Sequence, residues 1–266
     1  MGSSTKIDWA DASWNPVTGC YRGCSYCYAR HIAVRFGAHV KEWQWEDVHE
    51  LDAPWETTFY DDDKVTVLQK TNCPYPFDFE PTLHRYRMDI PKKWKKPKNI
   101  FVCSMADLFG KWVKEKWIWE VITACKEAPQ HRYLFLTKNP NRYVELIQKN
   151  ILPTEDNFWY GSTTTRADDP CFWCRKKPGT EKVCHSFLSI EPIMERFGEG
   201  SDIGSIALTD WVIVGAETGN RKDRVIPKKE WIMDIADECK KHGKPIFMKE
   251  SLKRMMRKDF RQEFPW

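Results

Sequence analysis

Three cysteines stand close together near the start of the chain, in Trp14-Asn15-Pro16-Val17-Thr18-Gly19-Cys20-Tyr21-Arg22-Gly23-Cys24-Ser25-Tyr26-Cys27-Tyr28-Ala29-Arg30. Their spacing is Cys20-x3-Cys24-x2-Cys27. Thiolates this near in sequence can converge on one metal centre if the chain loops around it. A [4Fe–4S] cluster ordinarily takes four cysteines. Three would leave one iron without a protein ligand, open to a substrate or cofactor. Gly19 and Gly23 would let the backbone approach the centre closely, and the ring of Tyr26 could lie against a flat cofactor. The alternatives are a zinc site without a near fourth ligand, for which His31 is the only neighbouring candidate, and three free thiols. A second set, Cys171-x2-Cys174-x9-Cys184-His185, offers three thiols and an imidazole. Cys3His is a closed zinc set, Cys73 could stand in for His185, and an auxiliary iron–sulfur cluster is the other reading.

These groups need a scaffold, and the sequence supplies a β-α rhythm. Apolar runs at 99–104, 132–137, 157–162, 185–190, 210–215 and 245–249 read as buried strands. Amphipathic stretches at 114–126, 140–147 and 227–242 read as helices, the last stopped by Gly243. Continuous apolar strands alternating with helices predict a parallel sheet covered by helices. No G-x-G-x-x-G follows a strand, so a dinucleotide-binding sheet loses support. The expectation is an α/β fold, a single (β/α) TIM-type barrel over 1–266, complete or partial. Residues 40–98, with Trp43, Trp45, Trp55 and many prolines, read as an elaborated connection or lid, with a strand near 65–68. Residues 166–185 read as a Cys-rich metal-binding loop. Each strand ends in polar residues, among them Ser104, Asp107, Thr137, Lys138, Ser189, Glu191, Glu217 and Lys249. In barrel enzymes that end carries the active site.

The Cys20–Cys27 spacing, with an aromatic before the last cysteine, resembles the signature of the radical S-adenosylmethionine superfamily. Five further segments, Phe101 to Gly110 (FVCSMADLFG), Leu134 to Pro140 (LFLTKNP), Phe187 to Pro192 (FLSIEP), Asp210 to Gly219 (DWVIVGAETG) and Pro245 to Lys249 (PIFMK), extend the resemblance over most of the chain. Together they look like a phage-associated radical-SAM-like family of unsettled function. Many members of that family have a longer gap between the first two cysteines. The resemblance implies a barrel with a [4Fe–4S] cluster at the mouth, its open iron binding the amino and carboxylate groups of S-adenosylmethionine. It also implies reductive cleavage to methionine and a 5′-deoxyadenosyl radical, which takes a hydrogen atom from a substrate, and a flavodoxin- or ferredoxin-like one-electron reductant. On that reading Lys138 and Lys249 suit the cofactor's carboxylate. Glu191 and Glu217 suit its ribose hydroxyls or ammonium, and Ser104, Thr137, Ser189 and Asp107 its polar edges. Cys103 could quench a substrate radical, against the plainer reading of a small buried residue. Cys125 and Cys239 read as packing residues.

Composition bounds the rest. The 266 residues carry 42 Lys+Arg against 38 Asp+Glu, a net charge of +4 too mild to imply a nucleic-acid partner by itself. The basic runs at Lys92–Lys98, Arg175–Lys177 and Lys253–Lys258, interleaved with tryptophan, keep a nucleic-acid or nucleotide substrate as a hypothesis. No apolar stretch is long enough to span a bilayer. Met1-Gly2-Ser3-Ser4 opens no secretory signal, so a cytoplasmic protein is expected, in which ten cysteines point to metal or chemistry rather than disulfides. Two function classes follow: a radical enzyme acting on an unidentified substrate, and a non-catalytic zinc- or iron–sulfur-binding accessory protein.

Overall fold

The structure is a computed structural model that describes residues 5–37, 48–61, 64–173, 184–198 and 203–266, with side chains left undescribed over 56–72. Trp43, Trp45, Cys174 and the basic run Arg175–Lys177 lie outside the described residues. In chain order the elements are β1 (Ala12–Trp14), β2 (Val17–Thr18), α1 (Tyr28–Arg35), β3 (His49–Leu51), β4 (Trp55–Asp61), β5 (Lys64–Cys73), β6 (Thr82–His84), α2 (Ile90–Lys93), β7 (Asn99–Val102), α3 (Glu115–Lys126), β8 (Arg132–Thr137), α4 (Asn141–Gln148), β9 (Phe158–Thr163), β10 (His185–Ile190), α5 (Gly204–Leu208), β11 (Trp211–Val214), α6 (Lys229–Lys241), β12 (Ile246–Met248) and α7 (Lys253–Met256). No described helix is long and apolar enough to cross a membrane. The chain divides into two compact units. One comprises residues 1–13, 96–102 and 129–266, and the other residues 14–95 and 103–128.

The first unit is built on a seven-stranded sheet of order β1-β7-β8-β9-β10-β11-β12, whose pairings from β7 to β12 are all parallel. Both faces are covered, which is why the strands read as unbroken apolar runs. Alternate residues Phe101, Leu134, Trp159, Phe187, Trp211, Ile213 and Phe247 join Trp9 in one aromatic-rich layer. The intervening Leu188, Ile190, Val212, Val214, Ile246 and Met248 pack with Ile232, Ile235, Ala236 and Cys239 of α6. The six apolar runs are the six strands β7 to β12, and the three amphipathic stretches are α3, α4 and α6. The closed form of the barrel is not adopted. The sheet is an open, partial barrel with β1 and β12 at its edges. Beyond β12 the chain turns back antiparallel: Phe247 bridges Gln262, and the Met248 and Glu263 amides donate to the Arg261 and Ile246 carbonyls at 2.8 and 2.9 Å. That return covers the β12 edge, so the edge is not free to pair with another parallel strand.

The second unit holds a three-stranded sheet, β2-β6-β3, and the antiparallel hairpin β4-β5. Of these, β3, β4, β5 and β6 lie in the irregular 40–98 stretch, and β5 contains the strand expected near 65–68. In α3 the buried residues Trp117, Ile118, Val121, Ile122, Ala124 and Cys125 form its apolar face, with Glu115 in the first turn and Lys126 in the last.

Candidate functional site

In the second unit the cysteine loop is fastened at both ends. The Gly19 and Cys20 amides donate to the Met105 and Phe79 carbonyls at 2.9 and 3.0 Å. Gly19 sits at φ +85°, and a Cβ there would meet the Glu80 carbonyl oxygen at 2.1 Å, so only glycine fits. Gly23 is also at positive φ, +73°, but faces open space. The close approach that Gly19 makes is to the backbone of Glu80 and Pro81.

Cys27 caps α1: its Sγ accepts the Arg30 amide at 3.4 Å, while Cys20 Sγ accepts the Arg22 amide at 3.5 Å. Amides aimed at sulfur compensate thiolate charge. Cys20, Cys24 and Cys27 are free and half-buried. Burial pushes the Cys20 thiol up to about 12, the Arg22 amide works against that, and charge on Asp107, Cys24 and Cys27 adds to the rise. All three sulfurs belong to this one loop. They are not closed on a common point: no group of three His, Cys, Asp or Glu side chains among the described residues is gathered tightly enough to hold a metal ion.

The loop that follows β7 is pinned from the same segment. Asn15 Oδ1 accepts from the Met105 amide at 3.0 Å and from Ser104 Oγ at 3.2 Å, and Tyr28 Oη donates to the Ser104 carbonyl at 2.9 Å. Arg87, 4% exposed, donates to the Asn15 and Pro74 carbonyls and to Tyr86 Oη. Its own carbonyl accepts Trp14 Nε1 at 2.8 Å. Asp107 is buried and accepts the Phe109 amide at 3.2 Å. Cys103 is buried at φ +60°, a conformation that strains a residue with a Cβ. Burial pushes its thiol up to about 12, so it stays protonated. Asn15 and Arg87 were not singled out as functional in the sequence. Asn15 lies inside the cysteine motif itself, between Trp14 and Pro16, and an amide side chain there was a legible signal. Arg87 had none.

In the first unit the strand ends carry a second group. Glu191 follows β10 and Lys249 follows β12, and Lys249 Nζ donates to Glu191 Oε1 at 2.5 Å. Between them, at the end of β11, Gly215 leaves the room: a Cβ there would meet Lys249 Cδ at 3.0 Å and Glu191 Oε1 at 3.3 Å. Ser189 is buried, and Thr137 Oγ1 accepts the Asn139 amide at 2.9 Å. Lys138 is half-buried, and its charge helps to hold the Asp169 carboxyl below the usual range, where amide and hydroxyl donors from Thr165 and Arg166 outweigh burial. Both Glu217 oxygens accept from Arg221, at 2.7 and 2.8 Å, and that pairing lowers its carboxyl. Arg221 is the partner that the sequence reading missed.

Of the second cysteine set, Cys171, Cys184 and His185 are described, and Cys174 lies outside the described residues. Cys184 is buried and disulfide-bonded. The His185 ring stacks on Trp159 at 4.3 Å and lies between Asp156, at 3.5 Å, and Asp210, at 4.0 Å. Cys171 is half-buried, with its thiol raised by burial against a hydrogen bond with Ser205. Cys73 donates to the Phe36 carbonyl at 3.6 Å. Cys125 and Cys239 are the buried packing residues expected.

Comparison with known proteins gives a family and a fold neighbour. The family model described as "Protein of unknown function (DUF5131)" matches residues 4–261. No curated protein matches. Among solved structures, a cysteine-to-serine mutant of spore photoproduct lyase superposes with a TM-score of 0.45 at 11% identity, over 94% of this chain and 81% of that one.

Proposed function

The chain belongs to the DUF5131 family, and from its own residues we propose that it is a radical S-adenosylmethionine enzyme. Cys20, Cys24 and Cys27 hold a [4Fe–4S] cluster with one open iron. When bound, the cluster supplies the electron that splits S-adenosylmethionine into methionine and a 5′-deoxyadenosyl radical. The donor set suits this group. Three free thiols sit on one glycine-turned loop, and two of them accept backbone amides.

Within the sheet unit, the strand-end residues offer groups that match parts of the cofactor. S-adenosylmethionine carries a carboxylate and an ammonium on one carbon, and the Lys249–Glu191 pair offers a cation for the first and an anion for the second. Lys138 is a further cation for the carboxylate. Glu217 accepts from a ribose hydroxyl through lone pairs that Arg221 leaves unused. Ser104, Asp107 and Tyr26 serve the cofactor's polar edges and its ring. Cys103, a buried neutral thiol, holds a hydrogen atom that it can give to a substrate radical. The substrate is a nucleic acid or nucleotide.

The observation that carries this reading is three free thiols, two of them accepting backbone amides, on a loop that only glycine at position 19 allows. Anaerobic reconstitution with iron and sulfide tests it. The expected product is a brown protein that, once reduced, converts S-adenosylmethionine to 5′-deoxyadenosine, and Cys24→Ala removes both properties. A preparation that never holds iron overturns the reading. One that holds iron but never cleaves the cofactor is an iron–sulfur binding module instead.

A further inference from the structure

We infer that the sheet unit carries a second site, for a nucleoside phosphate, at the end of the sheet opposite Glu191 and Lys249. The inference stands apart from the cluster reading. A cleft of about 680 Å³ lies at the N-terminal ends of β9 to β12, where Trp159, His185, Asp210 and Pro245 line it. The rest of its lining comes from Lys240 in the last turn of α6, from Lys244 just beyond that helix, and from the antiparallel return that holds Arg261, Glu263 and Phe264. A cleft of this size holds one small organic ligand. The three residues of β12 separate Pro245, on the cleft, from Lys249 at the other end. That is about 13 Å at about 3.3 Å per residue. The cleft and the Glu191–Lys249 pair are therefore separate sites.

Charges of both signs line the cleft, and they differ in what they are free to meet. The carboxylates are Asp210 and Glu263, and the cations are Lys240, Lys244 and Arg261. Each carboxylate has an oxygen committed to the sheet. Asp210 Oδ2 accepts the Ser186 amide at 2.9 Å, and Glu263 Oε2 accepts the Ile246 amide at 3.0 Å. Asp210 also lies 4.0 Å from His185 Nδ1, and Asp156 lies 3.5 Å from the other ring nitrogen. The side chains of the three cations make no hydrogen bond or ion pair among the described residues. Nearby lysines are paired: Lys241 with Glu238, and Lys229 with Asp259, the carboxylate on which Arg261 acts from a distance. Lys244 and Arg261 are half-buried rather than free in solvent. Cations held on a cleft whose carboxylates already serve amides are placed to take an anionic ligand.

The aromatic part of the lining says what else the ligand carries. Phe264 is 42% exposed, and the His185 ring lies flat on Trp159 with 4° between their planes. Aromatic faces beside cations hold a base and its phosphates. Inorganic phosphate would use only the cations, and an apolar ligand would cover them without supplying an anion. A phosphorylated nucleoside uses both parts. That chemistry has two sources, a free nucleotide and the 5′-phosphorylated end of a strand.

Calorimetric titration of the full chain tests this, with ADP, GDP, CDP, UDP, their nucleosides, inorganic phosphate and a 5′-phosphorylated single-stranded oligonucleotide as probes. At least one phosphorylated probe is expected to bind at least about tenfold more tightly than its nucleoside or inorganic phosphate. Lys244→Ala and Arg261→Ala are each expected to weaken that binding at least about tenfold, and Phe264→Ala about fivefold or more. Lys241→Ala, paired with Glu238 and not part of the lining, is expected to stay within about twofold. If Arg261→Ala melts early, Lys244→Gln takes its place with the same direction of effect. Tighter binding of the oligonucleotide than of every diphosphate assigns a strand end, and weaker binding assigns a free nucleotide; both support the site. Failure of all phosphorylated probes to bind at millimolar concentration overturns it. So does equal affinity in wild type and every cleft variant, or inorganic phosphate bound as tightly as the best nucleotide. A loss in Glu191→Ala with none in Lys244→Ala puts the nucleotide at the other end of the sheet and overturns it as well. Cys24→Ala is expected to bind as wild type does, so a protein that takes nucleotide but never holds iron fails the cluster reading alone.

Discussion

The unit that carries Cys20, Cys24 and Cys27 and the unit that carries the seven-stranded sheet are held together by different means. The sheet rests on parallel ladders and on two apolar layers in which each residue shares its load with many neighbours. Around the cysteine loop the regular structure is sparse, and single polar side chains fasten distant backbone. Asn15 holds the Ser104–Met105 turn, Arg87 holds Asn15 and Pro74, and Thr18 Oγ1 pairs with the buried His84 ring at 2.9 Å. The two cysteine sets differ in the same sense. One is three free thiols on a short pinned loop, and the other includes a disulfide-bonded Cys184 beside a histidine committed to an aromatic stack. A loop that leaves a two-residue strand is held chiefly by specific pins, and each pin is hard to replace.

The largest expected effect separates the two cysteine sets. Cys24→Ala should abolish iron binding on reconstitution, while Cys184→Ser should leave iron content per chain and the charge-transfer absorbance at the wild-type level. Equal loss in both variants would mean that the second set also contributes iron ligands, and the contrast drawn between the two sets would fail.

A second pair of substitutions probes the fastening. Asn15→Ala removes the acceptor of the buried Met105 amide and of Ser104 Oγ, at a cost of about 1–3 kcal/mol. Ile213→Val, in the middle of the aromatic layer, removes one methylene and should cost about 0.5–1.5 kcal/mol. Denaturant unfolding of both variants gives the order. If Ile213→Val costs more, the polar pins are not what holds the cysteine unit.

What the sequence makes legible follows the same division. Strands β7 to β12 are periodic and apolar because both of their faces are buried, so composition alone marks them. The short strands β2, β3 and β6 carry two or three residues each, too few for alternation to register. The spacing of Cys20, Cys24 and Cys27 is visible because residues on one loop are near in sequence. Arg87 is invisible because its acceptors, Asn15 and Pro74, are far from it along the chain. Glu217 reads from sequence as a strand-end carboxylate, and the Arg221 that occupies it lies four residues on, in a loop with no pattern to suggest the pairing. The Cys-x2-Cys of the second set reads as half a metal site, and spacing alone gives no sign of the disulfide at Cys184.

Two carboxylates carry the contrast to its smallest scale. Glu50, in the cysteine unit, accepts from Trp117 Nε1 at 2.8 Å, from Lys114 Nζ at 3.1 Å and from Arg85, groups drawn from 35 to 67 residues away. Burial alone would raise its carboxyl, but the Trp117, Arg85 and Lys114 donors together bring it down to about 2. Glu217, in the sheet unit, is lowered by Arg221 four residues on. A carboxyl depressed in the folded state adds stability that is present above its unfolded value and lost as pH falls through its folded value. Glu50→Gln should therefore destabilise the protein at neutral pH by about 1 kcal/mol, a figure held down by solvent screening of a partly exposed pair. The gap to wild type should be constant above about pH 5.5 and close between about pH 5 and pH 2. Glu217→Gln should show the same sign with a smaller neutral-pH gap, because an ion pair within one turn fixes little chain that is not already close. Urea melts of both variants from pH 7 down to the acid transition measure the two gaps. A Glu217→Gln gap larger than that of Glu50→Gln would show local pairing outweighing long-range fastening, the reverse of what separates the two units.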